Sequence, residues 1–88
     1  MGRVWREITS SDHMIREFDG DISDDSLVWH RDEKDRLVIP IHCEGWMFQM
    51  DNEAPFEMRS GHPIKIKAET YHRIIKGSGK LVLKIFEG

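Results

Sequence analysis

His30 and Asp32 stand two residues apart in the run Val28-Trp29-His30-Arg31-Asp32, and His72 follows 40 residues after Asp32. On an extended strand, residues two apart project to the same face. An imidazole and a carboxylate therefore enter one environment together, with Val28 beside them. If that environment is a core, burying the pair costs several kcal/mol unless the groups are paired or hold a metal. Two imidazoles and one carboxylate leave coordination positions open, an arrangement that suits non-haem iron(II) and related divalent cations. The same residue types also form ordinary surface ion pairs, and the His-x-Asp spacing alone does not separate the two.

The third member sits in Gly61-His-Pro-Ile-Lys-Ile-Lys-Ala-Glu-Thr-Tyr-His72. This stretch reads as a turn, a short strand, a second turn and a histidine opening the next strand, where Ile74 shares its face. Neighbouring positions on these strands point the other way. Trp29, Tyr71 and Arg73 are thus expected on the outer surface or against a second layer. Trp46, Phe48 and Met50 line one face of a single strand and are candidates for core or for the wall of a pocket. Cys43 next to His42 has no third group to orient it, and adjacent strand residues diverge, so a nucleophile is not expected there. His13, His42 and His62 fall at a polar helix start, a strand end and a turn, and read as solvated.

The elements that must position these groups are short. Val4–Ile8 alternates as a first strand. Ser10-Ser11-Asp12 offers a helix cap, Ile15 and Phe18 lie three apart, and Asp19-Gly20 supplies a stop. The reading is one short helix over residues 11–18. The aspartates of 19–25 do not keep the alternation of a calcium loop and read as a solvated turn. From Ser26 onwards, runs of β-formers alternate with turn residues, as in an all-β sandwich or barrel. The predicted strands are 27–32, 36–42, 46–50, 55–58, 63–67, 70–76 and 80–87. Pro40 marks an edge or a bulge in the second of these. In the last, Leu81, Leu83 and Ile85 share one face while Val82 and Phe86 share the other, so the strand is expected to be covered on both sides.

Eighty-eight residues, 39% hydrophobic and 33% charged, are consistent with one domain over 1–88. Residues 1–25 would form the N-terminal strand and helix, and 26–88 the barrel. A chain of this length buries only about 60–65% of its unfolded surface, so homodimerisation is a natural supplement. The net charge of −3 argues against a nucleic-acid binder. The lysines towards the C-terminus alternate with apolar residues and read as solvent-facing strand positions. The single cysteine excludes an internal disulfide and a structural zinc site built on cysteine pairs. No apolar run of membrane-spanning length and no hydrophobic signal core is seen, which predicts a cytoplasmic protein without membrane partners.

Residues 61–72 resemble the second motif of the cupins, in which glycine, five residues, Pro-x-Gly, two residues and histidine follow in order. Gly61 and His72 fall at that spacing; Lys67 and Glu69 replace the proline and the second glycine. Residues 30–36 resemble the first motif, with His30 and Asp32 at its paired histidine positions and Arg36 at its glutamate. Glu44-Gly45-Trp46-Met47-Phe48-Gln49-Met50-Asp51 resembles the hairpin between the motifs. The resemblance covers roughly residues 26–86 and implies an all-β, jelly-roll-like double-stranded β-helix barrel with a pocket. It implies His30, Asp32 and His72 as ligands to a divalent metal, Fe(II), Mn, Ni or Zn, in the His-x-Asp…His order of the related iron oxygenases. Arg36 departs from the pattern. A guanidinium repels a cation; it either pairs with Asp32 or clamps an acidic group on a small-molecule ligand. The expectation is a metal- and ligand-binding barrel with Arg36, Trp46 and Phe48 at the ligand. Oxygenase, isomerase and decarboxylase chemistry all remain open, beside a metal-free binding or scaffolding domain.

Overall fold

A computed structural model describes residues 5–88. The chain is all-β, with strands β1 (Trp5–Thr9), β2 (Met14–Phe18), β3 (Arg36–His42), β4 (Met47–Met50), β5 (Phe56–Glu57), β6 (Ile64–Ile66), β7 (His72–Ile75) and β8 (Leu81–Glu87). Val4, expected in the first strand, lies outside the described residues. Among the described residues no helix is long and apolar enough to cross a membrane.

The strands form a five-stranded sheet in the order β1-β2-β8-β3-β6 and a three-stranded sheet in the order β5-β4-β7. Every named pairing is antiparallel. The core lies between the sheets. Leu81, Leu83 and Ile85 on β8, Val38 on β3, Ile64 and Ile66 on β6 and Phe48 on β4 are buried there. The period-2 rule groups these β8 residues on one face, and burial of alternate residues is what binds the sheets together. Val82 and Phe86, on the other face, are only half-buried.

The helix expected over residues 11–18 is a strand. Residues Met14–Phe18 pair with β1 on one side, Ile8 opposite Ile15, and with β8 on the other, Arg16 opposite Leu83. An eight-residue helix is marginal in water, whereas two flanking strands satisfy the backbone on both edges. The alternation was present in the sequence: Arg16 and Phe18 face the interior, while Glu17 faces outward to Arg6 and Lys80. Residues 24–26 form a short 3-10 turn capped by the Ser23 hydroxyl, which accepts from the Asp25 N–H at 3.2 Å. The predicted strand over 27–32 is not a full strand. It is an extended segment held by a single bridge at His30.

Pro40 lies within β3, an interior strand, and its side chain is fully buried. The missing N–H costs no ladder bond, because Pro40 N points, like its carbonyl, to the β6 side, where the β3–β6 pairing has ended at Val38; the β3–β8 register shifts just beyond, between Pro40 and His42. The Pro40 carbonyl accepts the Gly61 N–H at 2.8 Å.

One end of the barrel is closed by backbone packed on an aromatic plug. Trp46 has 0% exposure, and its indole N–H donates to the Gly79 carbonyl at 3.1 Å. The Ser78 N–H donates to the Glu44 carbonyl at 2.9 Å. Between them Gly77 lies so close to the 44–46 turn that a Cβ there would collide with the backbone of Gly45 and Trp46. Backbone cannot yield as a flexible side chain can, so Gly77→Ala is expected to lower unfolding free energy by about 2–4 kcal/mol. Urea denaturation of the variant beside the parent checks this; an unchanged midpoint would show that the two turns separate freely.

Candidate metal centre

The 27–32 segment is fastened to the three-stranded sheet by one reciprocal contact. The His30 N–H donates to the His72 carbonyl at 3.0 Å, and the His72 N–H donates to the His30 carbonyl at 2.9 Å. Residues exchanging both bonds stand directly opposite, with side chains on the same side. The two imidazoles consequently lie with ring centroids 4.3 Å apart. Phe48, on the neighbouring β4, stacks on the His72 ring at 5.6 Å and 17°.

Both rings have a fixed tautomer. His72 Nδ1 lies 2.8 Å from the Thr70 carbonyl and His30 Nδ1 lies 3.0 Å from the Val28 carbonyl. A carbonyl only accepts, so Nδ1 carries the hydrogen, and in the neutral ring Nε2 is the nitrogen with the lone pair. This outer hydrogen bond is the arrangement that orients metal-ligating histidines.

Asp32 completes the cluster. Its carbonyl accepts the Glu69 N–H at 2.7 Å, and the exposed Arg31–Glu69 ion pair at 3.2 Å spans the same corner. Glu69, where the family motif carries glycine, has φ of +63° and occupies the left-handed region nonetheless. Asp32 Oδ2 lies 3.3 Å from His72 Nε2, yet it is buried without a hydrogen-bond partner. With the proton on Nδ1, both atoms are acceptors. A buried carboxylate oxygen in that position calls for a proton or a cation. One donor atom from each of His30, Asp32 and His72 lies within 4.8 Å of the others. Nitrogen and oxygen donors of this kind fit a divalent transition metal.

Arg36 is next to the cluster but turned from it. Its Nε and Nη2 donate to Glu87 Oε2 at 3.0 and 2.9 Å, whereas Nη1 is 3.4 Å from Asp32 Oδ1. Arg36 and Glu87 are direct cross-strand partners on β3 and β8. Glu87 is a residue that sequence reasoning missed. No local pattern marks it, because its relation to Arg36 exists only once the β3–β8 register is set.

A cavity of about 380 Å³ adjoins the cluster. Phe18, Val38, Phe48, Ile66 and Leu83 give it apolar walls, and His30, Asp32, His72, Arg16 and Arg36 supply polar groups. Arg16 is already engaged by Glu7, at 2.6 Å. Of the residues expected at a ligand, Arg36 and Phe48 line this cavity. Trp46 does not; it plugs the closed end of the barrel. A larger groove of about 690 Å³ runs outside, along β5 and β6, and contains none of the cluster.

The remaining residues fall outside the centre. Trp29 and Tyr71 lie on the surface, capped by the guanidinium groups of Arg73 and Arg31 at 4.8 and 5.4 Å. His42 and His62 are exposed. Cys43 is buried, and burial raises its thiol pKa, the opposite of what a nucleophile needs.

By sequence, the chain matches no family model and no curated protein. Its structure has clear counterparts. A cupin domain from Bordetella pertussis Tohama I superposes with a TM-score of 0.60 at 15% identity, covering 100% of this chain and 98% of that one. The chain has the cupin fold. A structure of DMSP lyases matches with a TM-score of 0.71 at 13% identity, over 86% of this chain and 37% of that one. The iron(II) form of HppE matches with a TM-score of 0.65 at 14% identity, over 86% and 41%. At such identities the likeness concerns the cupin barrel alone.

Burial lowers the pKa of His72, the His30 and Arg36 charges push the same way, and the Thr70 hydrogen bond and Asp32 oppose them. The folded chain thus resists a proton that the unfolded chain accepts. The stability this provides is present above the ordinary histidine pKa of about 6.5 and is lost as pH falls through the depressed folded value. In the presence of a chelator, the urea midpoint should fall on acidification from pH 7.5 to 5. Replacing His72 with Asn should flatten that slope by up to about 1 kcal/mol per pH unit. Parallel pH profiles for parent and variant would refute the assignment.

Proposed function

We propose that this cupin barrel binds a divalent metal through His30, Asp32 and His72 and admits a small molecule to the adjoining cavity. The observation that carries the reading is the buried Asp32 Oδ2, which has no hydrogen-bond donor and lies 3.3 Å from His72 Nε2, in a cluster where one donor atom from each of His30, Asp32 and His72 lies within 4.8 Å of the others. The iron(II) form of HppE, a neighbour in fold, is consistent with it. The donor set leaves coordination positions for a ligand or water.

Bound there, such an ion supplies Lewis acidity and, where it is redox-active, a site for oxygen chemistry. The protein's own part is to position and to exclude water. The His30–His72 bridge fixes the spacing of the imidazoles, and the Val28 and Thr70 carbonyls fix their tautomers. Phe48 holds the His72 ring in plane and, with Val38 and Leu83, excludes water from the ligand's apolar portion. Arg36 meets an acidic group on the ligand through Nη1, since Glu87 occupies Nε and Nη2. A cavity of about 380 Å³ is within the usual range of small-molecule sites, about 300–1,000 Å³. The barrel architecture itself is neutral between oxygenase, isomerase, decarboxylase and non-catalytic binder.

The 3.4 Å approach of Arg36 to Asp32 favours a second reading, a metal-free binding or scaffolding barrel. The contact is long for a charge-assisted hydrogen bond, and it leaves Asp32 Oδ2 unsatisfied.

Elemental analysis of untagged protein, before and after anaerobic incubation with iron(II), separates the two. Near-stoichiometric metal in the parent is expected. Loss of the His72 imidazole in His72→Ala should weaken uptake at least about a hundredfold, in line with deletion of a direct ligand when outer-shell changes already cost about 10–100-fold. A parent that takes up no iron, manganese, nickel or zinc would leave the metal-free reading standing.

A further inference from the structure

We propose that Glu87 is a positioning residue that makes a metal centre compatible with Arg36. The inference rests on the metal-binding reading above. A guanidinium beside three cation ligands is an unfavourable arrangement, because it offers Asp32 a competing partner and repels any incoming ion. Two features of the structure remove the conflict. Glu87 takes both Nε and Nη2 of Arg36 on one carboxylate oxygen, at 3.0 and 2.9 Å, so the guanidinium is drawn towards β8. The remaining nitrogen, Nη1, is held at 3.4 Å from Asp32 Oδ1, while Oδ2, the oxygen beside His72, is left free of it.

The charges follow the same logic. Asp32, Arg36 and Glu87 together carry −1, which attracts a divalent ion. Without Glu87, Asp32 and Arg36 sum to zero. The freed guanidinium also has the Asp32 carboxylate to turn to, already 3.4 Å from Nη1. The Arg36 side chain is mostly enclosed, with 15% exposure, so water compensates little for the loss. Arg36 and Glu87 stand opposite one another in the β3–β8 ladder, and the pairing is therefore set by strand register as well as by charge.

The test measures zinc(II) affinity by competition with a fluorescent chelator in four full-length proteins, with Glu87→Asp as a fifth, charge-retaining control. They are the parent, Glu87→Gln, Arg36→Met and the Arg36→Met/Glu87→Gln double variant. Loss of Glu87 alone is expected to raise Kd about tenfold or more, and removal of Arg36 in the same chain to return it to within about threefold of the parent. Arg36→Met alone should bind at least as tightly as the parent. Glu87→Asp, which retains the charge, should stay near the parent value. Thermal midpoints in chelator establish that each variant is folded. A purely structural Glu87 would weaken binding equally in both Arg36 backgrounds, and that result, or an unchanged Kd in Glu87→Gln, overturns the proposal. Zinc binding absent from every one of these chains, Arg36→Met included, would instead overturn the metal centre itself and this role with it.

Discussion

The reciprocal backbone pair between His30 and His72 is the contact on which the site depends. The segment from Leu27 to Asp35 has no continuous strand pairing of its own, and this bridge fastens it to the smaller sheet. The same two hydrogen bonds set the distance between the imidazoles, because residues paired in this way present their side chains side by side. Backbone geometry here determines side-chain chemistry directly. The Glu69-to-Asp32 hydrogen bond adds a second anchor two residues on and brings the carboxylate to the same spot. Loosening either would separate the groups long before it unfolded the barrel.

Around that contact the polar groups are arranged as a chain of partners. Carbonyls of Val28 and Thr70 occupy the outer nitrogens of the rings, and Glu87 occupies Arg36. Among the described residues, Asp32 Oδ2 is enclosed and left without a hydrogen-bond donor, 3.3 Å from His72 Nε2. Buried polar atoms are seldom left so. The apolar walls raise the stakes, since an unmet charge costs more in a medium of low dielectric. At the end plugged by Trp46, the indole N–H is satisfied by the Gly79 carbonyl and Gly77 packs backbone on backbone against the 44–46 turn.

Much of this was legible in the sequence where one residue decides the matter. Strand β3 has the predicted bounds, and the bulge announced by Pro40 is present, on an interior strand. The inward set of β8 follows from its alternation. His30, Asp32 and His72 are brought together as their spacing in the two motif-like stretches implied. Residues 11–18 misled because Ile15 and Phe18 fit a helical period while Met14, Arg16 and Phe18 fit a strand, and only the neighbours β1 and β8 choose between them. Trp46 misled because the predicted strand began one residue too early: this residue lies in the turn before β4, while Phe48 on β4 does reach the cavity; depth along the barrel axis is not written in a period of two. Glu69 could not be read as left-handed from its own type, and Glu87 acquires its meaning from a partner 51 positions away.

The two imidazoles differ sharply in their exposure: His72 is sealed at 3%, while His30 is exposed. The cluster therefore straddles the boundary between water and protein. A solute approaching it from bulk encounters His30 while still largely hydrated, and only afterwards Asp32 and His72, where its water must be given up. On the metal-binding reading proposed above, capture and retention fall to different residues: the outer imidazole would govern how fast an ion is picked up, and the enclosed pair how long it stays.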